Sequence, residues 1–253
     1  MEPLLFGKIE GKIKFNIEEN GQRGARAAMG ESEHHDSAVL TTKRKRIMIY
    51  FIEATRKLIQ SEGVDGLSIR KIANEAGYNS ATLYNYFRDL EHLTLFGSVC
   101  YLRDYVIALE NSLTEEMSAL ERFRTIYSCF NDLAFRNPDI FHNMFFGRHS
   151  EVLGEVLHTY YYELFPEELA GLSDNLRQML VSGSMRERDL VTMQAMVAEG
   201  FVAPEKADLT LELIIAVHQN FIYEATILGD CLDIDAHKAR FQQLFEYILE
   251  RAR

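Results

Sequence analysis

The chain has few residues that interrupt helices or cross-link them. Its 253 residues include only four prolines and three cysteines. Because the prolines stand far apart, long uninterrupted helices are possible. Cys100, Cys129 and Cys231 are odd in number and lack CxxC spacing, which argues against a disulfide framework or a zinc site. We expect small buried side chains there, with a redox-sensing thiol as the alternative.

Long apolar runs are also lacking. The richest stretch, residues 213–223, is shorter than the ~18 apolar residues of a membrane span and contains His218, Gln219 and Asn220. No pattern of charged and then apolar residues, as in a signal peptide, opens the sequence. We therefore expect a cytoplasmic protein with no membrane contact.

Charge is distributed unevenly. The formal net charge of −11 disfavours binding to a polyanion. Residues 43–92, however, hold nine Lys/Arg and six Asp/Glu, so this segment carries +3 and the remainder −14. A basic block on an acidic body would turn a single face toward DNA.

The N-terminal part differs in character from the rest. Residues 1–42 are predicted to be a mostly flexible extension, because residues 21–37 are rich in Gly, Ala, Glu and Ser without an apolar period. Alternating apolar residues between positions 9 and 17 leave a short hairpin as the alternative. From Thr42 onward the apolar spacing is helical, with Ile47, Phe51, Ala54 and Leu58 on one face.

Two short helices are predicted after this first one, which Gly63 ends. Ser68 caps the second helix, Gly77 ends it with a left-handed residue, and Asn79 or Ser80 caps a third from Ala81 to Phe87. Two short helices joined by a tight turn and braced by a longer one form a helix-turn-helix. Further helices without strands are predicted near residues 90–110, 115–136, 138–147, 149–165, 174–199, 207–229 and 235–251.

The predicted fold class is thus all-α. It comprises an N-terminal three-helix helix-turn-helix domain at 43–92 and a larger helical ligand-binding and dimerisation domain at 93–253.

Residues 67–87 read LSIRKIANEAGYNSATLYNYF. This run resembles the DNA-binding signature of the TetR family of transcriptional regulators, and the resemblance extends from Lys43 to Leu93. It implies a DNA-binding regulator with phosphate contacts from Ser68, Thr82, Tyr84 and Tyr86. Three positions depart from the family pattern: Leu90 stands where a Lys is frequent, and Asn79 and Ala81 replace Ser and Gly.

The residue types support this interpretation independently. Leu83 and Phe87 would fill the core, so the opposite side of the third helix would face the major groove. Asn85 suits adenine, and Ala81 suits a thymine methyl group. For the tyrosines, ordinary packing is the alternative; for the basic run at 43–46, it is a solvated surface. The predicted DNA-binding residues are Lys43, Lys45, Ser68, Arg70, Asn79, Ser80, Ala81, Thr82, Tyr84, Asn85 and Tyr86.

The last two long helices are apolar over much of their circumference, so something must cover them. The resemblance implies a homodimer formed by these two helices from each subunit, and burial within one protomer is the alternative. The predicted dimer interface is Ile215, His218, Ile222, Phe241, Leu244, Phe245 and Ile248.

Aromatic and methionine side chains suggest an apolar pocket between helices, although a simple core is favoured for the same residues. The predicted ligand pocket is Tyr105, Phe130, Phe141, His142, Met144 and Phe145. No cofactor is expected, and the histidines lack metal-binding spacing.

Taken together, these patterns predict a homodimeric repressor that an unknown, partly apolar small molecule releases from a double-stranded DNA operator. The helix near 90–110 would be the lever between ligand and DNA. The sequence has no nucleophile elbow, phosphate-binding glycine loop or metal cluster, so an enzyme is not expected. The alternatives are an enzyme or a protein-interaction module carrying a non-functional helix-turn-helix.

Overall fold

The computed structural model describes residues 40–170, 172, 177 and 180–253. Regular structure there is helical, without a strand, which confirms the predicted all-α class. The helices are α1 (Thr42–Glu62), α2 (Ile69–Ala76), α3 (Ser80–Leu83), α4 (Leu90–Ser112), α5 (Ala119–Ala134), α6 (Pro138–Phe146), α7 (Leu153–His158), α8 (Met185–Ala198), α9 (Ala207–Leu228) and α10 (Ile234–Arg251). A π-helix at Thr159–Leu164 continues α7, and short 3₁₀ turns lie at Ser150–Val152, Pro166–Leu169, Pro204–Lys206 and Gly229–Cys231. The predicted extension, with its possible hairpin, lies almost entirely outside the described residues.

Local capping sets the ends of the first three helices, which we call the three-helix domain. The Ser68 hydroxyl accepts the Lys71 amide at 3.3 Å and starts α2. Gly77 ends α2 at φ +76°, a conformation that favours glycine. The Asn79 side chain then accepts the Thr82 amide at 2.9 Å and starts α3. These caps match the prediction.

The third helix is shorter than predicted. It ends at Leu83, because the amides of Asn85 and Tyr86 bond to the carbonyls three residues back, at 3.2 and 2.9 Å. This tightening to a 3₁₀ pattern replaces the expected α-helix up to Phe87. The side chains of Leu83 and Phe87 are nevertheless both buried.

Helices α4–α10 form the part of the structure that we call the body. Two of them, α5 and α8, begin later than the spacing predicts. Ser118 and Glu121 form a capping box, so α5 starts at Ala119 instead of residue 115. The predicted helix 174–199 is broken before α8, where the Ser184 hydroxyl accepts the Glu187 amide at 3.2 Å. Most residues of its first part lie outside the described ranges.

Helix α4 belongs to the cores of both parts. Near its start, Leu93, Phe96 and Gly97 lie against the three-helix domain, whereas Tyr105 and Leu109 are buried in the body. Residues 40–253 form one compact unit with one continuous apolar core. The three-helix domain therefore has no core that is independent of α4.

Helices α1 and α4 approach each other closely at Gly97. A Cβ built on Gly97 would lie 2.7 Å from Thr55 Cγ2 and 3.1 Å from Thr55 Cβ. The Thr55 hydroxyl is itself fixed, because it donates to the Phe51 carbonyl at 2.8 Å. Helices α1 and α4 can therefore pack in this way only if residue 97 has no side chain.

Gly97→Ala should lower the free energy of unfolding by about 1–2 kcal/mol, because overpacking at Thr55 exceeds the gain in helix propensity. Chemical denaturation measures the change. Thr55→Ser removes the obstructing methyl group and keeps a hydroxyl, so the double variant should recover most of the loss. A single Gly97→Ala protein as stable as the wild type would contradict this packing.

Candidate DNA interface and effector site

The outward side of α3 and of the turn that follows it, residues 80–86, is open to solvent, and we call this surface the outward side of α3. Ala81, Tyr84 and Asn85 are exposed, Tyr84 by 57% of its surface, while Leu83 between them is fully buried. Asn79 is exposed as well, and Ser80 is half-buried. The predicted contact residues of this helix therefore lie on its accessible side, with the apolar anchor beneath them.

Some predicted contact residues also have structural partners. The Thr82 hydroxyl donates to Asn79 Oδ1 at 2.9 Å, and the Ser68 hydroxyl is occupied by the α2 cap. Tyr86 is half-buried, with its ring 6.5 Å from the ring of Phe51 and the Arg44 guanidinium 4.8 Å from its centroid. Tyr86 thus combines the packing role considered for it with an edge at the surface.

The basic residues divide into two groups. Lys43 and Arg70 are exposed. Lys45 is half-buried, and its Nζ lies 2.5 Å from Glu163 Oε2 of the π-helix. A phosphate contact by Lys45 would compete with this ion pair, whereas Lys43 and Arg70 can meet phosphate without breaking one that the structure describes.

A polar network joins α1 to the segment that follows α7. The Arg56 guanidinium donates to the Tyr160 hydroxyl and lies 3.3 Å from Glu168 Oε1, and the Tyr160 hydroxyl donates to the same carboxylate at 3.0 Å. Burial raises the pKa of Tyr160, so the phenol remains a donor. Glu168 is thus a half-buried partner of the three-helix domain.

A second connection involves the cap of α4. Asp89 accepts the His92 amide at 2.9 Å and lies 2.8 Å from His149 Nε2 and 3.6 Å from Arg148 Nη1. Burial alone would raise the pKa of Asp89, but these hydrogen bonds and charges lower it. The turn before α7 is thereby attached to the start of α4.

Four of the six predicted pocket residues meet in the body. Phe130 packs edge-on against Tyr105 at 5.0 Å between centroids, Phe141 at 5.2 Å and Phe145 at 5.6 Å. Met144 is also buried. His142 does not join them. It is half-buried and lies 6.0 Å from the ring of Tyr223.

The sequence interpretation missed polar groups beside these rings. Asp189 on α8 is buried and accepts the Tyr127 hydroxyl at 2.6 Å. Burial raises the pKa of Asp189 from 3.8 to about 7. Its neighbour Arg188 stacks over Phe145 at 5.6 Å. A signal existed, since Asp189 shares helical spacing with the buried Met185 and Met193.

Four predicted dimer residues need correction. His218, Ile222, Phe241 and Phe245 are buried inside the protomer, so they are not available to a second copy. His218 Nε2 lies 2.8 Å from Asn131 Oδ1, and burial lowers the pKa of His218 to about 3, which keeps the ring neutral. These four residues lie on the sides of α9 and α10 that face the protomer's own core.

The opposite sides of the two helices carry a different apolar set. Of the predicted residues, Leu244 is exposed, and Ile215 and Ile248 are half-buried. Other exposed apolar side chains, absent from the prediction, are Leu209, Leu213, Tyr223, Ile227, Leu228 and Tyr247.

Among the described residues, no group of three or more His, Cys, Asp or Glu side chains is arranged to hold a metal ion. Within the same ranges, no helix has the length and apolar character needed to cross a membrane.

Comparisons with known proteins bear on the three-helix domain. No curated protein matches the chain significantly. Similar solved structures include a protein of unknown function from Rhodococcus sp. RHA1 (18% identity, 88% of this chain and 100% of that one, TM-score 0.49). A putative tetR family transcription regulator from Shewanella sp. PV-4 has 16% identity over 80% and 95% of the two chains, with a TM-score of 0.43. The regulator FadR from Bacillus subtilis, solved with stearoyl-CoA, has 18% identity over 80% and 95%, with a TM-score of 0.45.

The family model described as "Bacterial regulatory proteins, tetR family" matches residues 51–95. This range runs from the middle of α1 through α2 and α3 to the start of α4, and it contains the exposed side of α3. Residues 51–95 therefore carry an N-terminal domain of the TetR type.

Proposed function

We propose that this DNA-binding regulator is a homodimeric repressor whose affinity for its operator falls when a small molecule binds in the helical body. The observation that carries the proposal is the exposed side of α3, anchored by Leu83, within the segment that matches the family. Binding to chromosomal DNA would place the protein in the cytoplasm.

The chemistry of α3 suits a major groove. Asn85 offers an amide that can pair with adenine, and Ala81 leaves room for a thymine methyl group. Lys43 and Arg70 are exposed cations on the same domain, and such residues supply the salt-dependent affinity for phosphate. The acidic remainder of the chain disfavours other orientations on DNA.

Two substitutions distinguish an expected phosphate contact from an expected base contact. The DNA is a duplex selected from a random pool. Lys43→Ala should weaken binding to all sequences. It should also reduce the slope of log K against log salt concentration, which we call the salt slope, by about one. Asn85→Ala should cost roughly 1–3 kcal/mol at one base position and relax selectivity there. Gel-shift titration at several salt concentrations measures both effects.

Arg186→Ala on α8 is the charge-matched control, since Arg186 is paired with Asp208 in the body. It should leave both the affinity and the salt slope unchanged. Failure of the wild-type protein to select any sequence would overturn DNA reading by α3 and favour a protein-interaction module.

Dimerisation is proposed through the exposed apolar side of α9 and α10. Leu213, Ile227, Leu244 and Tyr247 project away from the protomer's core. A small reading domain contacts one groove, so two copies at a fixed spacing are needed for firm operator binding. This surface replaces the buried residues in the sequence prediction.

Ile227→Glu should convert the dimer into a monomer, because the charge would be buried in an apolar contact. Light scattering after gel filtration would then report the protomer mass, and operator affinity should fall by roughly tenfold or more. Val191→Glu on α8 is the matched control, since Val191 is 65% exposed and Ile227 66%. If the two variants have the same mass and affinity, this surface is not the interface.

Communication between body and DNA is proposed to run through the π-helix and its neighbours. Tyr160 bonds to Arg56 of α1, and the next residue, Tyr161, is buried in the body. A ligand that shifts this turn would therefore act on α1 directly, in addition to acting through α4. Such a shift changes operator affinity only if the ligand prefers one of two arrangements.

Glu168→Gln should loosen α1, because the half-buried Arg56 loses its anionic partner. Amide hydrogen exchange around Arg56 should accelerate by roughly tenfold, the equivalent of about 1.4 kcal/mol. Glu246→Gln removes a comparable ion pair, with Arg124 at 2.6 Å, that lies wholly within the body. Equal acceleration of α1 in both variants would contradict a specific coupling role for Glu168.

A further inference from the structure

We propose that the effector is a small monocarboxylate on a compact apolar body, bound by the Arg188 guanidinium and the Tyr161 hydroxyl inside the helical body. Its role as an effector rests on the proposed function. Its binding to the chain does not.

The Arg188 guanidinium is held in place but incompletely bonded. Nη2 donates to the Ser182 carbonyl at 2.6 Å and lies 3.5 Å from the Leu180 carbonyl, which orients the group from one side. Nε and Nη1 are shut off from solvent and have no hydrogen-bond partner. Unpaired donors of a charged group are costly to bury, so the site lacks an acceptor for them.

The neighbouring carboxylate does not supply that acceptor. Asp189 accepts the Tyr127 hydroxyl and forms no ion pair with Arg188 in the described part of the chain. The two residues are consecutive on α8, so their side chains leave the helix in different directions. The attraction between them acts at longer range and leaves both Nε and Nη1 unbonded.

A second buried donor without a partner is the hydroxyl of Tyr161. Tyr161 lies in the π-helix and is fully buried. Its phenol feels the charges of Glu168 and Arg103 and, more weakly, that of Arg188. A carboxylate can accept hydrogen bonds from both arginine N–H groups and a phenolic hydroxyl, and the bonds from arginine are strong because both groups are charged.

The surroundings define the rest of the ligand. The face of Phe145 lies beneath the guanidinium, and Phe130 and Tyr105 pack beside it. These rings suit an aromatic or short aliphatic body. A single guanidinium beside the Asp189 carboxyl favours one negative charge over two. Tyr160, which directly precedes Tyr161, bonds to Arg56. A carboxylate bound at Tyr161 would therefore contact the same turn of the π-helix.

Calorimetry on the full chain tests the proposal without DNA. The probes are benzoate, phenylacetate, 4-phenylbutyrate and octanoate, each paired with its primary amide. We expect at least one acid to bind about tenfold more tightly than its amide, because only the acid compensates the arginine charge. Arg188→Gln should abolish that preference, and Tyr161→Phe should weaken binding of the acid by roughly three- to tenfold.

Arg186→Gln, on the exposed side of the same helix, should bind the acid as the wild type does. Should Arg188→Gln fail to fold, Tyr161→Phe decides the matter by the same comparison. Four acids that bind no better than their amides, or an unchanged preference in either site variant, would overturn the proposal. If the protein prefers the acid but selects no DNA, the binding site is supported and the regulator function is refuted. If it selects DNA but shows no preference for the acid, the regulator function is supported and the binding site is refuted.

Discussion

The structure depends on α4 being one uninterrupted helix that contributes buried residues to both the three-helix domain and the body. Its first turns complete the core of the three-helix domain, and its later turns carry Tyr105 and Leu109 into the body. Gly97 lets α1 approach so closely that no side chain fits between them. A domain without its own core cannot pivot freely on a linker. Reorientation of α3 must therefore involve movement of α4 or repacking against it.

The contacts that supplement α4 come from one stretch of the body. Lys45 and Arg56 of α1 bond to Glu163, Tyr160 and Glu168, and the α4 cap Asp89 bonds to His149. All these partners lie between the end of α6 and the 3₁₀ turn after the π-helix. This stretch also contributes Tyr161 to the buried polar site. Under the proposed function, this stretch would connect the buried polar site with α1, in addition to the connection through α4.

The features that could be predicted from sequence are those that depend on neighbouring residues. The caps at Ser68 and Asn79 and the glycine turn at Gly77 arise within a few positions, so local patterns suffice. The ion pair of Lys45 with Glu163 joins distant parts of the chain and has no local signal. His218 and Ile227 illustrate a different limit. On a helix that is apolar around most of its circumference, spacing does not indicate which side faces the protomer's own core.

Under the proposed function, the outward side of α3 touches DNA. The photo-crosslinking residue p-benzoylphenylalanine, placed at Ala81 and in a separate protein at Val191, tests it on a duplex selected from a random pool. Both positions are exposed, one on α3 and one on α8. We expect a covalent DNA adduct from position 81 on major-groove bases, and none from position 191. Equal yields from the two positions, or no adduct from position 81 in a bound complex, would contradict the account.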